Sequence, residues 1–292
     1  MLDNTNGTAN SEEDVSFSCY DDWGIGIATI SAVMFVTNIF HLIIISRMRQ
    51  LRGRPYRLIL IHITLADIGS SVLLLMFYSC LPGCQVISRS VRGIVFIWGI
   101  AEWPAHTSHW IFLVAGLEQY YSICKPLLCK ASKFIQKLSL VLVSTWIVSF
   151  SWSAIGFASP TILRSFNASS MIVFQLVDVT IRYVPLILAA VPLTLVVREL
   201  RKMRHPDIAD HQKQNRRAAV FLIIIYCIFL AFSLFDMVMG CAALFNPHLM
   251  SLITLRLKNV TKCLYGILNT VIYGFRTKAY RQEIRRLVCR QD

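Results

Sequence analysis

Seven stretches of about twenty or more mostly apolar residues run through the chain, and no other feature limits its fold as much. They cover 25–46, 58–81, 93–120, 138–158, 171–197, 218–245 and 252–275. In lipid every backbone polar group must be satisfied internally, so only helices and closed barrels can cross. None of the seven stretches alternates apolar and polar residues as a barrel strand does. The expected fold class is therefore all-α, a seven-transmembrane helix bundle. Composition agrees: 55% of the 292 residues are apolar and 15% are charged, where a soluble domain carries about 25% charged residues. The net charge of +13 would suit a nucleic-acid binder, but this chain is too apolar for one, and no nucleic-acid partner is expected.

The basic residues give a direction. Arg47, Arg49, Arg52, Arg54 and Arg57 follow the first span, Lys125, Lys130, Lys133 and Lys137 the third, and a basic cluster within 198–217 the fifth. With the tail after residue 275, these segments hold 22 of the 29 Lys and Arg, all on one side of a seven-span topology. Residues 1–22 hold six acids and no Lys or Arg. The positive-inside rule then puts the N-terminus outside and the tail in the cytoplasm, the expected membrane being the plasma membrane. Residues 1–22 contain no apolar run, so the expectation is a first span that does its own targeting rather than a cleaved signal peptide. The implied organisation is an extracellular tail (1–22), a membrane domain (23–276) and a cytoplasmic amphipathic helix with tail (277–292). Two glycosylation sequons, at Asn6 and Asn167, fall in the expected outer segments; a third match at Asn259 falls inside the last span.

Seven spans with a basic inner face carry markers at particular places. Asn38 lies in span one and Leu65-Ala66-Asp67 in span two. Glu118-Gln119-Tyr120, then Ile123 and Pro126-Leu127, close span three, and Trp146 lies in span four. Asn269-Thr270-Val271-Ile272-Tyr273 closes span seven, before a basic stretch that ends at Cys289. In order and spacing, over residues 23–289, this set resembles the rhodopsin-like (class A) G-protein-coupled receptors, as a divergent orphan-like or chemosensory member. The resemblance implies an extracellular ligand and a cytoplasmic heterotrimeric G protein. It implies an internal switch at Asn38, Asp67, Ser108, Asn269 and Tyr273, and an inner gate at Glu118, Gln119 and Tyr120. It also implies a sodium site at Asp67, Ser108 and Asn269, where hard oxygens would suit the ion; the alternative is a protonated Asp67 in a structural network.

The chain departs from the family at three places. Gln119 stands where the family has Arg, and a neutral amide cannot form a charge-assisted pair. Thr270 and the sixth span lack the usual hinge prolines. The family's outer disulfide has no counterpart, because no Cys lies near Ile94 or in 159–170. Cys19, Cys80 and Cys84 fall near the oxidising face, so a bridge from Cys19 to either of the others is an alternative. Cys289, on a basic juxtamembrane segment, suits S-palmitoylation or remains a free thiol.

Ionisable groups within spans default to functional hypotheses. Span three offers Trp98, Glu102, Trp103, His106 and His109; span five, Asp178 and Arg182; span six, Asp236; span seven, Arg256, Lys258, Asn259 and Lys262. The expected ligand site is Trp98, Glu102, Trp103, His106, Asp178, Arg182, Asp236, Asn259 and Lys262, taking a polar or zwitterionic molecule. The competing expectation is internal ion pairs, Glu102 with Lys262 and Asp178 with Arg182, that hold the bundle closed. An amine receptor of the family would carry Asp at Ala101, which disfavours a monoamine. His106 and His109 could begin a zinc site, but a structural site takes four ligands and no third is apparent. Lys262 sits one position away from the family's retinal-binding place, which is Cys263 here, so an opsin is disfavoured.

No phosphate loop, zinc-protease helix or nucleophile elbow occurs, and no enzyme activity is expected. The basic inner loops would at least touch anionic lipid. Two rivals to a receptor follow: a non-signalling seven-span scaffold or decoy, for which Gln119 and Thr270 speak, and a transporter or channel. The second lacks the internal repeat that transporters commonly show.

Overall fold

A computed structural model describes residues 22–48, 55–79, 91–125, 137–163, 168–202, 210–245, 252–276 and 278–289. The regular structure among them is helical throughout: α1 (Asp22–Arg47), α2 (Pro55–Tyr78), α3 (Val91–Cys124), α4 (Leu138–Leu163), α5 (Ala168–Lys202), α6 (Asp210–Phe245), α7 (Leu252–Arg276) and α8 (Lys278–Cys289). Local chemistry fits the ends. Asp22 in the first turn of α1 and Arg47 in its last complement the helix dipole. Pro55 opens α2, at a place where a missing N–H costs nothing.

Among the described residues, four segments are long and apolar enough to cross a membrane: α1, α2, Val179–Lys202 of α5 and Ala219–Met239 of α6. Leu138–Ala154 of α4 is apolar but shorter. The architecture is thus all-helical and consistent with a multi-pass membrane protein. α6 starts at Asp210 and α5 continues to Lys202, so the expected loop 198–217 is largely helix. Hydropathy marks where an apolar surround ends, whereas backbone hydrogen bonding continues through Arg, Lys, Gln and Ala, all good helix formers.

Two features point to an apolar surround. Large aliphatic side chains stand outward, Val36 at 64%, Leu140 at 62% and Ile147 at 61% exposure, on helices that also bury a face. Outward hydroxyls, moreover, return to their own helix. Thr29, Thr37, Ser46, Ser144, Thr180 and Thr194 each donate to the carbonyl four residues back at 2.7–2.9 Å. That is the partner left to a hydroxyl where water is scarce.

α3 is the central helix, packed against α2, α4, α5 and α6; α1 packs on α2, α7 and α8. The approach of α3 to α5 is close at Gly116. A Cβ there would meet Pro192 Cγ at 3.1 Å and the Ala189 carbonyl oxygen at 3.3 Å. Small residues let helices approach in this way where packing, rather than water exclusion, drives association. α8 turns Tyr280, Ile284 and Leu287 to the core and leaves Arg281, Arg285 and Arg286 exposed, an amphipathic arrangement at i, i+4 and i+7.

Candidate functional site

The early parts of α3, α5 and α7 and the late part of α6 lie at one end of the bundle, and their charged side chains meet there. Glu102 of α3 is bound by three cations: Arg182 Nη1 at 3.3 Å, Lys258 Nζ at 3.3 Å and Lys262 Nζ at 2.5 Å. Asp236 of α6 is bound by Lys258 Nζ at 3.0 Å and Arg182 Nη1 at 3.6 Å, and its Oδ2 accepts the Tyr183 hydroxyl at 2.5 Å. Lys258 and Lys262 reach the same carboxylate because i,i+4 spacing puts them on one face of α7. The five charged side chains are 12–18% exposed, withdrawn from water yet not sealed. At that burial, an unpaired charge would be costly.

Two histidines extend this site along α3. His106, one turn beyond Glu102, has Nδ1 3.4 Å from Ser153 Oγ, and its Nε2 is buried with no hydrogen-bond partner. His109 Nδ1 lies 2.7 Å from the Ala105 carbonyl, which can only accept, so Nδ1 carries the proton. The ring is flanked by Tyr183 and Phe229, with centroids 5.5 and 5.0 Å away. Among the described residues no group of three or more His, Cys, Asp or Glu could hold a metal ion.

Of the residues expected to read a ligand, the structure brings together Glu102, Arg182, Asp236 and Lys262, with His106 beside them. Two others face elsewhere. Trp103 Nε1 donates to the Trp146 carbonyl at 3.1 Å and its ring packs on Trp146 and Phe150, toward α4. Asn259 Nδ2 donates to Tyr78 OH at 2.8 Å, toward α2. The side chains of Trp98, Asp178 and Cys289, and the whole of Asn6, Cys19, Cys80, Cys84 and Asn167, lie outside the described residues. The expected ion pair of Glu102 with Lys262 is present. The other expected pair, Asp178 with Arg182, involves a side chain outside the described residues.

A polar chain continues along the inside of the bundle. Asn269 Nδ2 donates to Asp67 Oδ2 at 3.1 Å. Asn38 Nδ2 donates to the Met34 carbonyl at 2.9 Å and to the Gly266 carbonyl at 3.3 Å, while its Oδ1 accepts from Thr270 at 3.4 Å. Asn269 Oδ1 is buried without a hydrogen-bond partner. Asp67 and that oxygen fit a hard cation; Ser108 fits less well, because its hydroxyl donates back to the Pro104 carbonyl at 3.2 Å.

At the far end the groups are aromatic and mostly neutral. His41 Nδ1 is 2.9 Å from Tyr280 OH, and its ring centroid lies 5.1 Å from that of Tyr273. Tyr273 also meets Tyr280 at 5.1 Å and Phe221 at 4.8 Å. Burial pushes the Tyr280 phenol above its ordinary range, so it stays a neutral hydroxyl. Glu118 is held within its own helix, accepting from Gln119 at 2.5 Å and Ser122 at 2.7 Å. Gln119 Oε1 is buried with no hydrogen-bond partner. Tyr120 packs beside Ile123, Val196, Leu200 and Ala219, where α3, α5 and α6 meet.

Tyr183 and the His41–Tyr280 contact were missed in the sequence. The signal for the second was present: Tyr280, Ile284 and Leu287 form an apolar stripe among arginines. No family model matches the chain, and no curated protein matches it. The likeness to rhodopsin-like receptors rests on its motifs.

Proposed function

We propose that the chain is a seven-span receptor of the plasma membrane, N-terminus outside and C-terminus in the cytoplasm. It would bind an extracellular ligand at the charged end and signal to a heterotrimeric G protein at the aromatic end. One observation carries this reading: five charged side chains from four helices converge, partly exposed, at one end of the bundle. A ligand that exchanges partners there can bind one helix arrangement better than another, and only such differential affinity shifts a conformational equilibrium. Asn38, Asp67 and Asn269 form the connection to Tyr273, with Asp67 and Asn269 as the oxygens for a sodium ion. Glycosylation at Asn6 and Asn167, palmitoylation at Cys289 and a Cys19 bridge belong to the same proposal.

One observation favours the scaffold or decoy instead. Gln119 bonds to its own neighbour Glu118 and brings no cation to the face that would meet a G protein. Basal nucleotide exchange by a panel of G proteins, measured before and after Gln119→Arg, separates the two. Exchange that appears or rises with Arg supports the receptor; none in either form supports the scaffold. Replacing sodium by N-methylglucamine should lower the melting temperature of the wild type and leave Asp67→Asn unchanged. Equal loss in both forms removes the ion.

A further inference from the structure

We infer that α3 is hinged at Pro104, and that the hinge turns an exchange of partners at Glu102 into a change of angle between the outer and inner parts of that helix. The inference deepens the receptor reading and rests on it only for what the motion serves.

Bonding within α3 makes the weak place. Pro104 lies inside the helix and has no N–H for the Ile100 carbonyl, so one i→i−4 bond is not made. In the next turn three consecutive side chains fold back on the backbone. Thr107 Oγ1 donates to the Trp103 carbonyl at 3.0 Å, Ser108 Oγ to the Pro104 carbonyl at 3.2 Å and His109 Nδ1 to the Ala105 carbonyl at 2.7 Å. Each of those carbonyls is also the helix acceptor for the same residue's own amide, and such sharing weakens and bends a helix. Helices kink at places of this kind.

The weak turn is held on two sides. Just before it, Trp103 Nε1 donates to the Trp146 carbonyl of α4 at 3.1 Å. On the α2 side Gly69 faces the ring, and a Cβ there would stand 3.3 Å from Pro104 Cγ. A loosened turn between two fixed contacts changes angle without sliding. Its outer arm carries Glu102, tied by ion pairs to α5 and α7. Its inner arm reaches Glu118 over about 21 Å of helix and meets α5 closely at Gly116, so a change of angle is passed to α5. Of the other helices at the charged end, α6 and α7 contain no proline. α5 contains Pro185 and Pro192, but the residues that match 107–109 after each, 188–190 and 195–197, are apolar and cannot fold back in this way.

The test measures amide exchange along α3 in the full chain in lipid nanodiscs. The helix bonds of amides 105–108 span the proline; those of 111–115 lie beyond it in the same helix. Pro104→Ala gives position 104 an N–H. It should slow exchange at 105–108 by about tenfold, the upper end of what one hydrogen bond contributes, and leave 111–115 unchanged. Thr107→Val with Ser108→Ala keeps the proline and should slow the same amides by less; it carries the test if Pro104→Ala does not fold. Glu102→Gln should quicken 105–108 when Pro104, Thr107 and Ser108 are native, and do so less in either stiffened form. The inference is overturned if neither stiffened form slows 105–108, or if Glu102→Gln quickens them equally in all forms. Nucleotide exchange by the G-protein panel is read separately. Slowed amides with no nucleotide exchange in any form keep the hinge and remove the receptor. Nucleotide exchange that continues unchanged in the stiffened forms keeps the receptor and overturns the hinge.

Discussion

The two ends of the bundle solve the same problem with different chemistry. At one end, α3, α5, α6 and α7 are joined through two carboxylates shared among three cations. At the other, α1, α6, α7 and α8 meet through ring contacts and the hydrogen bond between His41 and Tyr280. The difference lies in what each end can exchange. Ion pairs withdrawn from water must always have a partner, so they answer strongly to a competing charge. Ring contacts gain mainly by burial and shape and answer to geometry. In the proposed receptor, the first end would sense charge and the second helix position.

The contrast breaks most visibly at Glu102. Glu102→Gln leaves Lys262 without its carboxylate and takes one carboxylate from Arg182 and Lys258. Removing one member of a buried ion pair costs about 3–5 kcal/mol, so a large fall in melting temperature is expected. Glu102→Gln with Lys262→Met should be less destabilised than the sum of the single variants, because the second change removes the stranded charge. Strict additivity of the two would show that the cluster is not a unit. The proposed receptor should also lose any ligand response in both single variants while retaining surface expression.

A smaller effect is expected between the ends. Gly116→Ala places a methyl group 3.1 Å from Pro192 Cγ and 3.3 Å from the Ala189 carbonyl oxygen, and the carbonyl belongs to a helix backbone that yields little. Overpacking of this kind costs about 1–3 kcal/mol. Since α3 carries both Glu102 and Glu118, pushing it from α5 should disturb both ends. Hydrogen exchange that rises at one end alone would mean that α3 does not connect them.

How much of this was legible depends on the kind of contact. Apolar length pointed to the helices. α4, without a charged residue over 138–163, is apolar but short among the described residues, so length rather than charge sets it apart from the four longer segments. Residue type alone singled out Glu102, Arg182, Asp236 and Lys262, because an ion inside an apolar stretch must have a partner. The Glu102–Lys262 pair was legible too, but the sharing of Glu102 and Asp236 by Arg182 and Lys258 was not. A spacing rule sees one helix, whereas the pairs of Arg182 with Glu102 and Asp236 depend on how α3, α5 and α6 are rotated about their axes. A rotation of about 100° per residue likewise turns Trp103 toward α4 and Asn259 toward α2, though both fall within the expected stretch of sequence. The Ser108 hydroxyl was placed by spacing alone, and the nearer Pro104 carbonyl holds it.

The smallest effect tests the aromatic end and is the most specific. Tyr280→Phe keeps the ring between His41 and Tyr273 and removes only the hydroxyl that meets His41 Nδ1 at 2.9 Å. A neutral hydrogen bond contributes about 0.5–1.5 kcal/mol net, so global stability should fall by less than in either variant above. Tyr280 is 1% exposed and is the deepest of the described side chains of α8, with Ile284 and Leu287 beside it, so the loss should be local. Amide exchange should quicken over 278–289 while the α3, α5 and α7 segments around Glu102 keep their protection. If Tyr280→Phe costs as much as Glu102→Gln, or loosens the charged end equally, the two ends form one cooperative unit. Helix position at one end would then be fixed directly by ion pairing at the other, without an intermediate arrangement for a ligand to select.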